Sequence, residues 1–222
     1  MPCFSVIRDI VCFGSFCRSA RAGERGHLEK FVRYEKGRRE RTHKHIIDVA
    51  SRRFRADGVA AAGLAGVMQE AGLTNGAFYV HFESKDDLVR ESMIASLDER
   101  RDRVAEAFSD GAGLEEIIRD YLSPKHRDTP SRGCPSSALI GEISRQPRKT
   151  RTAYTERLVE FVQLIADPIP NGKASECRQK AMGIFSVMIG ALQLSRAVSD
   201  KALSDQILLD GIETALQILG RK

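Results

Sequence analysis

AGLTNGAFYVHFESKDDL, residues 71–88, decides the fold. An apolar helix end (Val67, Met68, Ala71) runs into Gly72, the residue type that takes a left-handed backbone freely, and a second short helix starts at Thr74. That is the spacing of a helix-turn-helix. Thr74 is placed to cap the new helix with its hydroxyl. Asn75, Gly76 and Ala77 are small, which lets the helix approach the floor of a DNA major groove. Phe78 and Phe82, four apart, pin the opposite face to the core, and Tyr79 and His81 are expected to point outward with hydrogen-bonding tips. Ser84 and Lys85 open the next helix with a cap and a cation.

Working outward, the chain of 222 residues, 42% hydrophobic and 29% charged, can bury the core of one small and one larger domain. Its formal net charge of +5 is carried by the stretch from Arg33 to Asp57, which holds nine Lys or Arg (33, 36, 38, 39, 41, 44, 52, 53, 55) against four acids (35, 40, 48, 57). A basic arm directly before the helix-turn-helix fits attraction to a phosphate backbone. Cysteines at 3, 12, 17, 134 and 177 form no CxxC pair and no Cys/His cluster, so neither a metal, a cofactor nor a structural disulfide is expected. No apolar run reaches the roughly 18 residues needed to span a membrane, and the expected location is the cytoplasm. The first seventeen residues carry a short apolar patch interrupted by Arg8 and Asp9, unlike a secretory signal. Residues 1–35 are expected to be a disordered or mis-annotated extension, with Val32 as the natural start.

The rest divides into helices punctuated by Gly and Pro. Helix 1 is expected over Thr42–Asp57, capped by Thr42 and stopped at Gly58, helix 2 over Leu64–Ala71, helix 3 over Thr74–Phe82, and helix 4 from Lys85 to about Phe108. Leu114–Leu122, Pro135–Gln146, Arg148–Ala166, Ser175–Val198 and Leu203–Leu219 follow, with a polar loop at 124–133. No period-two strand occurs, so the fold class is all-α.

The helix-turn-helix stretch resembles the DNA-binding domain of the TetR family of bacterial transcriptional regulators. The likeness rests on Gly72, Tyr79, His81, Phe82, Ser84 and Lys85, and extends back through Thr42, Ile46, Ile47, Ala50, Phe54 and Gly58. Ala62 and Gly63 stand where the family usually has a hydroxyl that caps helix 2. The resemblance implies a helix-turn-helix domain over 36–88 and a helical effector-binding and dimerisation domain over 89–222. It implies a homodimer on double-stranded, near-palindromic operator DNA, released by a small molecule and most often acting as a repressor. The DNA-facing set carried over is Thr42, Lys44, Thr74, Asn75, Gly76, Ala77, Tyr79, His81 and Lys85, with Asn75 and Ala77 toward bases.

The last two helices carry apolar residues over a wide arc: Ile189 and Leu192, then Ile207, Leu208, Ile212, Leu216 and Leu219. By the resemblance they form the dimer interface; a monomer's own core is the other reading. Phe108, Tyr121, Phe161, Met182, Phe185 and Met188 are candidates to line an apolar effector pocket, or to be plain core. Cys134, at the start of a helix behind Pro135 and near Lys125, His126, Arg127 and Arg132, is either a redox or electrophile sensor or a small buried cysteine. No nucleophile and base, paired carboxylates or metal set converge, so no enzyme is expected; a DNA-binding or protein-interaction module without an effector stays open.

Overall fold

In the computed structural model of the protein, residues 23–220 are described, with side chains from Gly37 onward. By its contacts the chain forms two units, one ending at Arg41 and one beginning at Thr42. Helix α1 runs Gly23–Asp57, then come α2 Val59–Ala62, α3 Leu64–Glu70, α4 Asn75–His81 and α5 Lys85–Ser109. The remainder is α6 Leu114–Tyr121, α7 Pro124–Asp128, a 3₁₀ turn Pro130–Arg132, α8 Pro135–Ile143, α9 Arg148–Ala166, α10 Ala174–Ala197 and α11 Lys201–Leu219. No strand occurs among the described residues.

Two expectations at the N-terminal side are corrected. Thr42 caps nothing, because it lies inside α1. Arg, Lys and Glu dominate residues 36–41 and are good helix formers, with Gly37 the one weak position, so nothing makes the backbone leave the helix there. Of the stretch read as disordered, residues 23–35 are helical and the earlier ones lie outside the described residues. Between α1 and α3 the four-residue α2 was not foreseen.

Side-chain caps fix several starts. Ser84 accepts from the Asp87 N–H at 3.2 Å, with Asp86 and Asp87 in the first turn of α5 where the helix dipole favours acids. Asp200 accepts from the Leu203 N–H at 2.8 Å and starts α11.

Two apolar clusters organise the second unit. One gathers Ile46, Val49, Phe54, Val67, Met68, Phe78, Phe82 and Leu88 around the helix-turn-helix, and reaches on to Leu97 of α5, Leu139 and Ile143 of α8 and Tyr154 of α9. The other fills the space between α6, α9, α10 and α11 and takes Val104 from α5. Helix α5 therefore runs through both cores. At 25 residues it spans about 37 Å.

The last two helices pack chiefly on each other. Leu192, Leu208 and Ile212 are 0%, 3% and 9% exposed, so the protomer's own packing already covers most of them, with Ile212 also lining an outer groove beside Leu209 and Leu216. The periodic stripe marks a buried face, and here α10, α11 and α6 bury it mutually. Ile189, Ile207, Leu216 and Leu219 are half-buried.

The polar loop expected at 124–133 is instead structured. Ser123 accepts from the His126 N–H at 3.2 Å and Pro124 takes the first helical position, which makes α7 a single capped turn. His126 then locks the segment to the core. Its Nδ1 lies 2.7 Å from the Tyr121 carbonyl oxygen and so carries the hydrogen, while Nε2 accepts from the Cys134 N–H at 2.9 Å. Burial lowers its pKa from 6.5 to about 4, outweighing the hydrogen bond to the Tyr121 carbonyl.

The unfolded chain takes up this proton near pH 6.5 and the folded chain only near 4, so the stability His126 contributes is complete above pH 6.5 and is lost as pH falls toward 4. The full effect is about 3 kcal/mol. Asp87, Asp128 and Asp205 are held below their ordinary 3.8, by hydrogen bonds from Arg90, Arg127 and Lys201 respectively, and do not titrate in the upper part of this window. Urea unfolding should accordingly show a midpoint that drops between pH 6.5 and 5, with a flatter dependence in His126→Asn; an identical slope in the variant would show that another group drives it.

Candidate nucleic-acid interface

The turn between α3 and α4 follows from one glycine. Gly72 has φ +69°, its N–H donates to the Gln69 carbonyl at 3.0 Å, and the Leu73 N–H donates to the Met68 carbonyl at 2.9 Å. These two bonds are the Schellman arrangement that ends a helix on a left-handed residue. Thr74 then takes the N-cap position of α4, but its hydroxyl caps no backbone group, contrary to expectation.

Helix α4 turns Phe78 and Phe82 inward, 1% and 3% exposed, with their rings stacked at 5.4 Å. Thr74, Asn75 and Gly76 are exposed on its first turn and Ala77 is half-buried. Tyr79, 72% exposed, stands beside Val80 at 56%, a residue the sequence reading passed over. Val80 follows directly from the helical phase, since the two rings at 78 and 82 commit the opposite face to the core.

His81 is placed differently from expectation. It is half-buried and tilted against the rings of His43 and Phe82, at 6.0 and 6.4 Å. His43 stacks on Phe82 at 4.5 Å and meets Glu91 at 2.8 Å. Lys85 donates from Nζ to the Val59 carbonyl at 3.0 Å, which fixes the start of α2 while leaving two further N–H donors on the ammonium.

The basic stretch is thinner than its count suggests. Arg55 is 6% exposed, donating to the Ser51 and Gly133 carbonyls and lying 3.7 Å from Glu99. Arg52 and Arg53 face Glu70 at 3.8 and 3.7 Å. Lys44 is exposed and Thr42 half-buried in the second unit, and Arg38, Arg39 and Arg41 are exposed in the first.

The expected pocket residues converge only in part. Tyr121, Cys134, Phe161, Phe185 and Met188 lie in the second apolar core and Phe108 packs on its edge, but Met182 is 41% exposed and lies outside that core. Helical phase explains this: Ile184, Phe185 and Met188 point α10 inward and leave Met182 on the far face. Cys134, at 1% exposure, opens α8. A cavity of about 10 Å³ lies between Leu97, Arg100, Cys134, Ser136, Arg157, Leu158, Phe161 and Phe185. That is room for about one water. Among the described residues no group of His, Cys, Asp and Glu could hold a metal ion, and no helix is long and apolar enough to cross a membrane.

An exposed short helix following a glycine turn, carried on an all-helical body, defines a helix-turn-helix protein. Residues 46–92 match the family described as bacterial regulatory proteins, tetR family. This segment, about a fifth of the chain, is thus similar to the DNA-binding segment of TetR-family regulators. The chain is 41% identical over 76 residues to the HTH-type transcriptional regulator TtgR of Pseudomonas putida, covering 34% of this chain and 36% of that one, about a third of its length. It is 26% identical over 161 residues to the HTH-type transcriptional regulator LmrA of Bacillus subtilis, covering 69% of this chain and 86% of LmrA. A TetR-family transcriptional regulator structure from Cytophaga hutchinsonii superposes with TM-score 0.67 at 18% identity, over 83% of this chain and 98% of that one. The relatives named here are regulators, not enzymes.

A Cβ at Gly72 would meet nothing within 4 Å, so the cost of Gly72→Ala is purely that of the left-handed backbone. Denaturant unfolding should show a loss of about 1–2 kcal/mol. A neutral result would mean that the turn relaxes to another conformation.

Proposed function

We propose that the chain is a dimeric transcriptional repressor that reads near-palindromic operator DNA with α4 and leaves it when a small molecule enters the helical body. The observation that carries this is the outer face of α4: small side chains on the first turn, Tyr79 projecting, and a rigid aromatic pair behind it. Asn75 and Ala77 face the bases. Thr74, whose hydroxyl is not used as a cap, joins Thr42, Lys44, Tyr79, His81 and Lys85 along the phosphates, with His81 acting from its half-buried place and Lys85 through the donors that Val59 leaves. Residues 36–88 form the DNA-reading head and 89–222 the body.

A second copy covers the remaining apolar surface of the last helices, including Ile189, Ile207, Leu216, Leu219 and the 58%-exposed Leu209. Two reading helices would then enter successive major grooves about 34–36 Å apart. A thiol sensor at Cys134 is the weaker reading, because a side chain 1% exposed meets no oxidant or electrophile until the body opens.

Two variants test the head. With DNA from upstream of the gene, Tyr79→Ala should bind about tenfold more weakly, and Lys44→Ala should lower the slope of log affinity against log salt by about 1. Both side chains are exposed, so unfolding midpoints should stay put. The absence of any preference over random DNA, with both variants binding like the parent, would refute the assignment of α4 as the reading helix.

Leu209→Glu tests the assembly. Sedimentation should show a dimer for the parent and a folded monomer for the variant; a monomeric parent would end the dimer reading.

A further inference from the structure

The small cavity in the body holds an electrostatic anomaly. Arg100 of α5 lines it and is 8% exposed, yet among the described residues no carboxylate lies within ion-pair distance, and its Nε has no hydrogen-bond partner. Its one close neighbour of complementary character is the ring of Tyr121, whose centroid lies 5.1 Å from the guanidinium carbon. The Tyr121 hydroxyl is wholly buried, with the Cys134 thiol and the Ser137 hydroxyl as its polar neighbours, and burial raises its pKa. The contrast with other arginines is clear. Arg157 on the same cavity is neutralised by Asp98 at 2.7 Å, and the buried Arg127 by Asp128 and Asp205 at 2.7 and 2.6 Å.

A buried cation without a counter-ion is costly, and it is ordinarily paired. Leu97, Leu158, Phe161 and Phe185 give the cavity an apolar side, and Cys134, Ser136 and the paired Arg157 complete its wall. We propose that this cavity is the effector site and that its ligand is an organic carboxylate with an apolar body. The carboxylate supplies the missing counter-charge to Arg100, whose planar guanidinium can bind it through two parallel hydrogen bonds. The apolar part lodges among the leucines and phenylalanines. Because the cavity has room for only about one water, the ligand enters by displacing Phe161 and Phe185, their aromatic contact at 5.0 Å giving way. This inference rests on the reading of the body as an effector domain and specifies the chemistry of its ligand.

Calorimetry and thermal unfolding of the full chain with benzoate and octanoate, compared with benzamide and octanamide, provide the test. The acids should bind at least about tenfold tighter than their amides, the size of a charge-assisted bond. Arg100→Met should erase that preference while its melting temperature without ligand stays level or rises, since an unpaired charge has left the core. Amides binding as well as acids, or no binding by any of the four, would overturn the proposal. So would a fall of several degrees in unliganded Arg100→Met, which would make the cation over Tyr121 a structural element. Release from DNA separates the two readings. Neutral apolar compounds that release DNA while carboxylates stay inert would leave the regulator intact and remove the anion site; carboxylates that bind without releasing DNA would keep the site and remove the effector role.

Discussion

Both backbone polar groups of Val59 are held by side chains from other elements, and that grip ties the start of α2, just ahead of the helix-turn-helix, to α5 and α8. Glu142 of α8 accepts from the Val59 N–H at 2.9 Å, and Lys85 of α5 donates to its carbonyl at 3.0 Å. Val59 opens α2, which has no side-chain cap of its own because Gly58 precedes it. The glycine is needed twice over. Its φ of +83° suits a residue without a side chain, and a Cβ there would sit 2.6 Å from Glu142 Oε1. A carboxylate can thus reach the N-terminus of α2 and satisfy a donor that would otherwise be orphaned.

The same logic repeats along the seam between α1 and α5. Ser51 donates to the Ser92 carbonyl at 3.0 Å, and Arg55 spans from the Ser51 carbonyl to the Gly133 carbonyl. Burial lowers the pKa of Arg55, while Glu99 acts in the opposite sense. These polar links add direction where apolar contact alone would allow helices to slide. Arg196 serves likewise, donating to the His126 and Arg127 carbonyls and tying α10 to α7. Against this background of acceptors supplied for inward-facing arginines, Arg100 differs in having a ring face for company.

The helix-turn-helix was legible in the sequence because its determinants are local. The Gly72 turn, the aromatic pair four apart and the Ser84 cap all lie within fifteen residues of one another, and each has a single physical meaning. What stayed hidden was set by distant partners. The Val59–Glu142 bond joins residues 83 positions apart, and no pattern around Glu142 announces it. Thr42 looked like a cap because its residue type favours caps, but the helix-forming run before it won. Periodicity in α10 and α11 correctly marked buried faces without saying what buries them, which is why Leu192, Leu208 and Ile212 turn out to serve the protomer itself. Lys85 showed its charge in the sequence but not the carbonyl it holds.

The geometry of α8 connects these observations to regulation. Its nine residues begin beside Cys134 and Ser136 at the cavity and end just after Glu142 at the Val59 grip, a rod of about 13 Å. Leu139 and Ile143 on the same helix pack into the core of the DNA-reading end. If, as proposed, a ligand forces Phe161 and Phe185 apart, it would press on one end of this rod, whose other end carries the carboxylate that accepts from the Val59 N–H. Coupling between two sites in a protein is typically about 1–3 kcal/mol, and a hydrogen bond to a charged group contributes about 1.5–3 kcal/mol. On the proposed function, loss of the single Glu142 bond would be of the size such coupling needs, with no wholesale rearrangement of the body.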